Sequence, residues 1–235
     1  MLEAVDLVYS YPGRDTALRG INATFPRGLT LLAGANASGK STLLRIFSGL
    51  ATPDSGKVVQ SDGSPLSPDA LRSLSRLVIQ DADLQILGAS VGEDIALGRS
   101  ASNLGGQFDA EAVRLAKSFG LEHLWQASVE VLSYGQKRKL SLVNALLAGP
   151  KLLLLDEPFE ALDYPSAQEL RGFIAANSKA GIDQIVSTHD LEPLFDLADW
   201  LVVVRDGAVA GEGKPGDLLP HLREWSVRMP GGSWN

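Results

Sequence analysis

The chain has 235 residues, 45% of them hydrophobic, and no cysteine, so it can bury one sizeable core and cannot carry disulfides, metal thiolates or thiol chemistry. Its net charge of −7 argues against general affinity for nucleic acid: neutralising phosphates needs clustered Lys and Arg, and Lys137-Arg138-Lys139 is too short a cluster. No apolar run approaches the roughly 18 residues of a membrane span. The opening Met-Leu-Glu-Ala-Val-Asp has neither a basic leader nor an apolar signal core, so the expectation is a cytoplasmic protein that meets a membrane only through a partner.

In chain order, residues 1–30 read as short β pieces separated by turns at Tyr11-Pro12-Gly13 and Pro26-Arg27-Gly28. Leu29 to Leu32 read as a buried strand, and Leu43, Ile46, Phe47 and Leu50 share one helical face. Between them lies Gly34-Ala35-Asn36-Ala37-Ser38-Gly39-Lys40-Ser41-Thr42, a glycine-rich strand-to-helix turn. Its backbone N–H groups can close around phosphate oxygens, its glycines admit close approach, and Lys40 adds a charge for the β- and γ-phosphates. The helix that follows points its N-terminus at the anion.

Lys57 to Gln60 lead into an Asp62-Gly63 hairpin signal, completing an antiparallel sheet beside the nucleotide, and Ser61 to Asp69 read as a connecting loop. From 81 to 149 helical patterns dominate, including Ala110 to Phe119 and a helix after Gln136. The remainder alternates strand and helix: Leu152 to Leu155, Ala167 to Ala176, Gln184 to Ser187, Leu191 to Leu197, Leu201 to Val204. That alternation predicts a parallel α/β core. Asp206-Gly207 reads as a closing hairpin, and the tail from Arg228 as frayed.

The run Leu152 to Leu155 ends abruptly in Asp156 and Glu157, as in a buried parallel strand that delivers acids to its C-terminal edge. Asp156 can hold Mg²⁺ through water, and Glu157 beside it suits general-base work on a water; the plainer alternative is a strand end capped by solvated acids.

With this loop, Leu132-Ser133-Tyr134-Gly135-Gln136, the Asp156-Glu157 pair and His189 in this order, the chain resembles the nucleotide-binding subunit of ABC transporters over nearly its whole length. The resemblance implies an α/β fold: a P-loop NTPase core with a parallel sheet, an antiparallel β subdomain and an inserted helical subdomain. It implies one domain over 1–235, with the nucleotide core at about 1–80 and 150–220, the helical part at about 81–149, and a tail at 228–235.

It further implies ATP and Mg²⁺ as cofactors. Asn36, Ala37 and Ser38 would join Gly34, Gly39, Lys40, Ser41 and Thr42 around the phosphates, and Ser41, Gln80 and Asp156 would hold the metal. Lys40, Gln80, Glu157 and His189 would form the catalytic group, with His189 holding the γ-phosphate and orienting Glu157. Tyr11 would stack on adenine, with Tyr9 as its rival. In the family a second subunit packs head to tail, so Ser133, Gly135 and Gln136 would act in trans, with Asp163 in the crossing loop Ala161-Leu162-Asp163. Tyr134 stands where the family's first signature glycine is usual, and Ala35 and Ala37 stand where Pro and Gly are.

Within the family, the stretch Val78-Ile79-Gln80-Asp81-Ala82-Asp83-Leu84-Gln85-Ile86-Leu87 with Val91-Gly92-Glu93-Asp94-Ile95-Ala96-Leu97-Gly98 is similar to the ATPases of energy-coupling-factor importers. Gly135-Gln136-Lys137-Arg138 and Tyr11-Pro12-Gly13 point the same way. Such importers take up vitamins or transition-metal ions such as cobalt and nickel. The resemblance implies a second ATPase subunit and integral membrane subunits as partners, no nucleic acid, and a peripheral place on the cytoplasmic face of the membrane. Alternatives are an exporter ATPase, or a clamp in translation or DNA repair; the latter generally show duplicated heads, coiled-coil insertions or zinc cysteines, none of which this sequence has.

Overall fold

The computed structural model describes residues 2–13, 15–100 and 110–231. Strands β1 (Leu2–Ser10) and β2 (Thr16–Phe25) form an antiparallel pair, followed by β3 (Leu29–Ala33), helix α1 (Lys40–Phe47), β4 (Ser55–Gln60), α2 (Pro68–Leu74) and β5 (Ser75–Val78). Helices α3 (Val91–Ser100), α4 (Ala110–Ser118) and α5 (Tyr134–Leu147) come next. After them run β6 (Leu152–Asp156), α6 (Tyr164–Lys179), β7 (Asp183–Thr188), β8 (Trp200–Arg205), β9 (Ala208–Gly213) and α7 (Pro215–Leu218).

The larger sheet has the order β5-β6-β7-β3-β8-β9, parallel up to β8 and closed by antiparallel β9. Its central strands are buried along their whole length because both faces are covered, which is why Leu29 to Ala33 and Leu152 to Leu155 are continuously apolar rather than alternating. Successive side chains leave on opposite faces. Leu32, Leu154, Ile185 and Val202 therefore meet α1 and the β2-β1-β4 sheet. Leu31, Leu153, Val186 and Val203 meet Leu170 and Ile174 of α6 and Leu142 of α5. A third cluster joins α3, α4 and α5 through Val91, Ile95, Ala116, Leu140 and Val143. Helix α5 thus has apolar residues in two cores at once, which fixes its N-terminal turn relative to the sheet.

Asp206 (φ 50) and Gly207 (φ 79) both take the left-handed conformation that a tight two-residue hairpin requires, and they join β8 to β9 as expected. Three expectations change. The loop expected over Ser61 to Asp69 ends early, because Ser67 caps α2 by accepting from the Ala70 N–H at 3.2 Å with Pro68 in the first helical turn. Leu191 to Leu197 form successive turns rather than a helix: the Leu194 and Leu197 N–H groups bond three residues back, to Leu191 and Leu194, and a single bond four residues back, from Phe195 to Leu191, is not continued into a regular ladder. The tail expected to fray from Arg228 is held as far as Gly231: Met229 packs on the core and the Gly231 N–H donates to Glu192. Residues 232–235 lie outside the described residues.

Candidate functional site

The register of the parallel sheet puts three chemistry-bearing strand ends side by side. Ala33 pairs with Thr188, and Asp156 pairs with Ser187, so the phosphate loop, Asp156-Glu157 and Thr188-His189 all leave the same edge.

The phosphate loop is shaped by its own protein. A Cβ on Gly34 (φ 151) would lie 2.2 Å from the Val204 carbonyl oxygen, and one on Gly39 (φ 111) 2.8 Å from Leu18 Cδ2. The Asp206-Gly207 turn supports the loop from behind, with the Gly207 N–H donating to the Ser38 carbonyl at 3.1 Å. Ala37 takes φ 62, a left-handed conformation that an L side chain resists. Ala35, Asn36 and Ala37 are exposed at the tip, whereas Ser38 is buried with its Oγ lacking a hydrogen-bond partner among the described residues. A buried hydroxyl of this kind, under a turn of backbone N–H groups at a helix start, suits an anionic ligand.

Lys40 is buried and donates to the carbonyls of Gly34 (2.8 Å) and Ala35 (3.1 Å), with its Nζ 3.2 Å from Glu157 Oε1. Glu157 follows β6 at φ 44, which turns its carboxylate back over the strand ends, and its Oε2 lies 2.9 Å from His189 Nδ1 and accepts the His189 N–H at 3.3 Å. One carboxylate thus sits between an ammonium and an imidazole. Beside it, Asp156 Oδ1 accepts from Ser41 Oγ at 3.1 Å and from Ser187 Oγ at 2.5 Å. That hydroxyl–carboxylate pair is the hard-oxygen donor set Mg²⁺ takes together with phosphate oxygens. Among the described residues no cluster of three or more His, Asp or Glu could hold a metal without that help.

Ser187 was not singled out from the sequence. Wholly buried in β7, it donates to Asp156 and accepts the Glu157 N–H at 2.9 Å, tying the two acidic residues together. A hydroxyl one residue before the Thr188-His189 strand end was the only available signal.

Tyr11 is tied to α1. Its hydroxyl bonds Thr42 Oγ1 at 3.1 Å and accepts from Arg45 at 3.2 Å, and its ring borders an open depression with Gly13, Thr16 and Ala37. Tyr9 meets Tyr11 edge-on at 5.0 Å and packs against the core. Gln80 bonds the carboxylate of Glu160 rather than the Asp156 group.

The remaining candidates stand at two helix starts. Ser133 caps α5 in a reciprocal box with Gln136, with bonds of 3.2 and 2.8 Å, and Gly135 follows. Asp163 caps α6 by accepting from the Ser166 N–H at 3.0 Å, and the bonds from Ser166 hold its carboxyl below the usual carboxylate range.

The family model described as ABC transporter matches residues 18–160, a span that includes the phosphate loop, the Ser133 turn and Asp156-Glu157. The chain belongs to the ABC transporter family. This ABC ATPase is 36% identical to a putative ABC transporter ATP-binding protein of Halobacterium salinarum, across 98% of the chain and 100% of that protein. It is 32% identical to an energy-coupling factor transporter ATP-binding protein of Clostridium perfringens, across 98% of the chain and 84% of the relative. Among solved structures it superposes with TM-score 0.80 and 32% identity on cbiO1 from Clostridium perfringens, part of the ABC transporter complex cbiONQ, covering 95% of this chain and 93% of that one. The fold is the ABC cassette, and the chain is an ATP-binding, ATP-hydrolysing transporter subunit. No helix among the described residues is long and apolar enough to cross a membrane.

Proposed function

We propose that the chain is the ATPase of an energy-coupling-factor type importer for a vitamin or a transition-metal ion. It would work at the cytoplasmic face of the membrane as a head-to-tail pair with a second ATPase subunit, docked on integral membrane subunits. The observation that carries the chemistry is the placement of Glu157 between Lys40 (3.2 Å) and His189 (2.9 Å), beside the Ser41–Asp156 pair. Full-length likeness to energy-coupling factor ATP-binding proteins supports the importer class.

In this reading Lys40 exchanges its two loop carbonyls for the β- and γ-phosphates, the N–H groups of Asn36 to Thr42 hold the remaining oxygens, and Tyr11 stacks on adenine. Ser41 and Asp156, joined by Gln80, would hold Mg²⁺, which would supply positive charge against the phosphate oxygens. Glu157 accepts the proton of the attacking water. His189 keeps its carboxylate oriented and contacts the γ-phosphate, so most of the catalysis is positioning and charge stabilisation. The turn at Ser133, Gly135 and Gln136, with Asp163, serves the partner's nucleotide. A Cβ on Gly135 would meet nothing of its own chain closer than Ser166 Oγ at 3.5 Å, which leaves that face open to an incoming phosphate. Gln80 would have to give up its bond to Glu160 to join Ser41 and Asp156.

Two measurements test the reading. Glu157→Gln should lower turnover at least about 10²-fold and yield an ATP-bound dimer on size exclusion; undiminished turnover removes Glu157 as the base. The tagged chain purified from native membranes in mild detergent should bring small integral membrane proteins with it. Ribosomal or DNA-repair proteins in their place would end the transport reading and leave the ATPase.

A further inference from the structure

Tyr134, the residue that stands where the family usually has a glycine, joins two parts of the site. Its hydroxyl donates to the Gln80 carbonyl oxygen at 3.0 Å. Arg138 lies one helical turn further on and is 1% exposed. It donates to the Ile79 carbonyl (2.7 Å), the Gln80 carbonyl (2.6 Å) and the Tyr134 hydroxyl (2.8 Å), with its guanidinium 5.5 Å from the Tyr134 ring centre. Its Nη atoms are thus held by three acceptors while its buried Nε has no partner among the described residues, and the shared acceptors join Ile79, Gln80 and Tyr134 into one hydrogen-bonded unit rather than a set of independent contacts. Lys137 adds an ion pair to Asp83 at 2.5 Å. On the other side of the loop, Gln85 accepts the Ile79 N–H at 2.9 Å and donates to the Leu77 carbonyl at 2.8 Å. The backbone from Leu77 to Gln80 is therefore braced on both sides, and only the exposed Gln80 amide, paired with exposed Glu160, is left to move.

We propose that Tyr134 is a positioning residue. Its hydroxyl joins Arg138 on the Gln80 carbonyl and ties that backbone to the first turn of α5 itself, so that engagement of that turn by a partner subunit's nucleotide is relayed within the same chain to Gln80. A glycine at this position would leave Arg138, one turn further on, to hold the Gln80 carbonyl alone. The proposal rests on the ATPase cycle proposed above and adds a component that cycle does not require.

The test is Tyr134→Phe in the full chain, which keeps the ring and removes the donor, read by steady-state ATP hydrolysis and by amide hydrogen exchange. Loss of one such bond predicts a kcat reduced about 3- to 10-fold with the ATP KM within about twofold. Exchange should quicken over Leu77 to Gln85 and stay unchanged in α1. Tyr134→Gly should show the same kcat–KM split, which guards against a misfolded Phe variant. Any other combination overturns the proposal, including unchanged kcat, a rise in KM alone, or faster exchange throughout the chain. Glu157→Gln measured in parallel separates the two ideas. If it turns over like the parent, the cycle itself falls and the relay with it; if it is inactive while Tyr134→Phe matches the parent, only the relay falls.

Discussion

Ser187 does more with one hydroxyl than its apolar strand suggests. It satisfies Asp156 and accepts the Glu157 N–H, both in a buried setting. Ser187→Ala would leave the buried Glu157 N–H without its partner, at about 1–3 kcal/mol for such a group, and Asp156 Oδ1 with Ser41 alone. The expected outcome is a lower urea midpoint together with a loss of ATP turnover, because both acids lose their common restraint. A variant that melts like the parent and hydrolyses ATP normally would show that Ser41 alone orients Asp156. Ala37 and Glu157 show a different residue-scale effect: both hold φ values in the left-handed region, at 62° and 44°, where a Cβ is disfavoured. Strain at these positions sits at the two sides of the proposed phosphate site.

At the scale of elements, α6 is tied to the turns that replaced the expected helix over Leu191 to Leu197. Arg171 of α6 bonds the Pro193 carbonyl at 2.5 Å and grips both carboxylate oxygens of Asp196 at 2.8 and 2.6 Å. The hydrogen bond from Arg171, then its charge, pulls the Asp196 carboxyl below the ordinary value of 3.8. A carboxyl lowered in the folded state stabilises it above the unfolded value and loses that contribution as pH falls through the folded one. Asp196→Asn should therefore cost stability at neutral pH, by about 0.5 kcal/mol since the carboxylate is largely in water. The gap between parent and variant in urea titrations should close as the pH drops below 3.8. A gap that does not change with pH would mean the carbonyl contact, not the ion pair, joins these elements.

For the molecule as a whole, the question is what lies opposite α5. Gly34 and Gly39 are crowded by their own chain, but Gly135 is not. Gly135→Ala should leave the folded chain as stable or up to about 1 kcal/mol more stable, since Ala is the better helix former, while ATP-driven dimer formation and turnover fall. Thermal melting and size exclusion with ATP read the two effects separately. If the Ala variant dimerises and hydrolyses like the parent, the approach of a partner's nucleotide to this turn is wrong.

The local chemistry was legible in the sequence because it is written in short, contiguous strings. The glycine-lysine loop, the apolar run ending in Asp156 and Glu157, the strand before His189 and the Asp206-Gly207 hairpin each depend on backbone preferences and burial that neighbours in sequence settle. What pairs across the molecule was not written that way. The sheet order, which brings Ala33, Asp156 and Thr188 to one edge, comes from packing both faces of parallel strands. Ser187 beneath the acids, Tyr134 on the Gln80 carbonyl and the Gly207 turn behind Ser38 are contacts between segments distant in sequence. No periodicity or motif announces them, since each exists only once two hydrophobic cores have fixed where the strands and α5 lie. The sequence by itself determined which chemistry is present. The tertiary structure decided which groups hold one another, because hydrogen bonds form between neighbours in space and burial decides who those neighbours are.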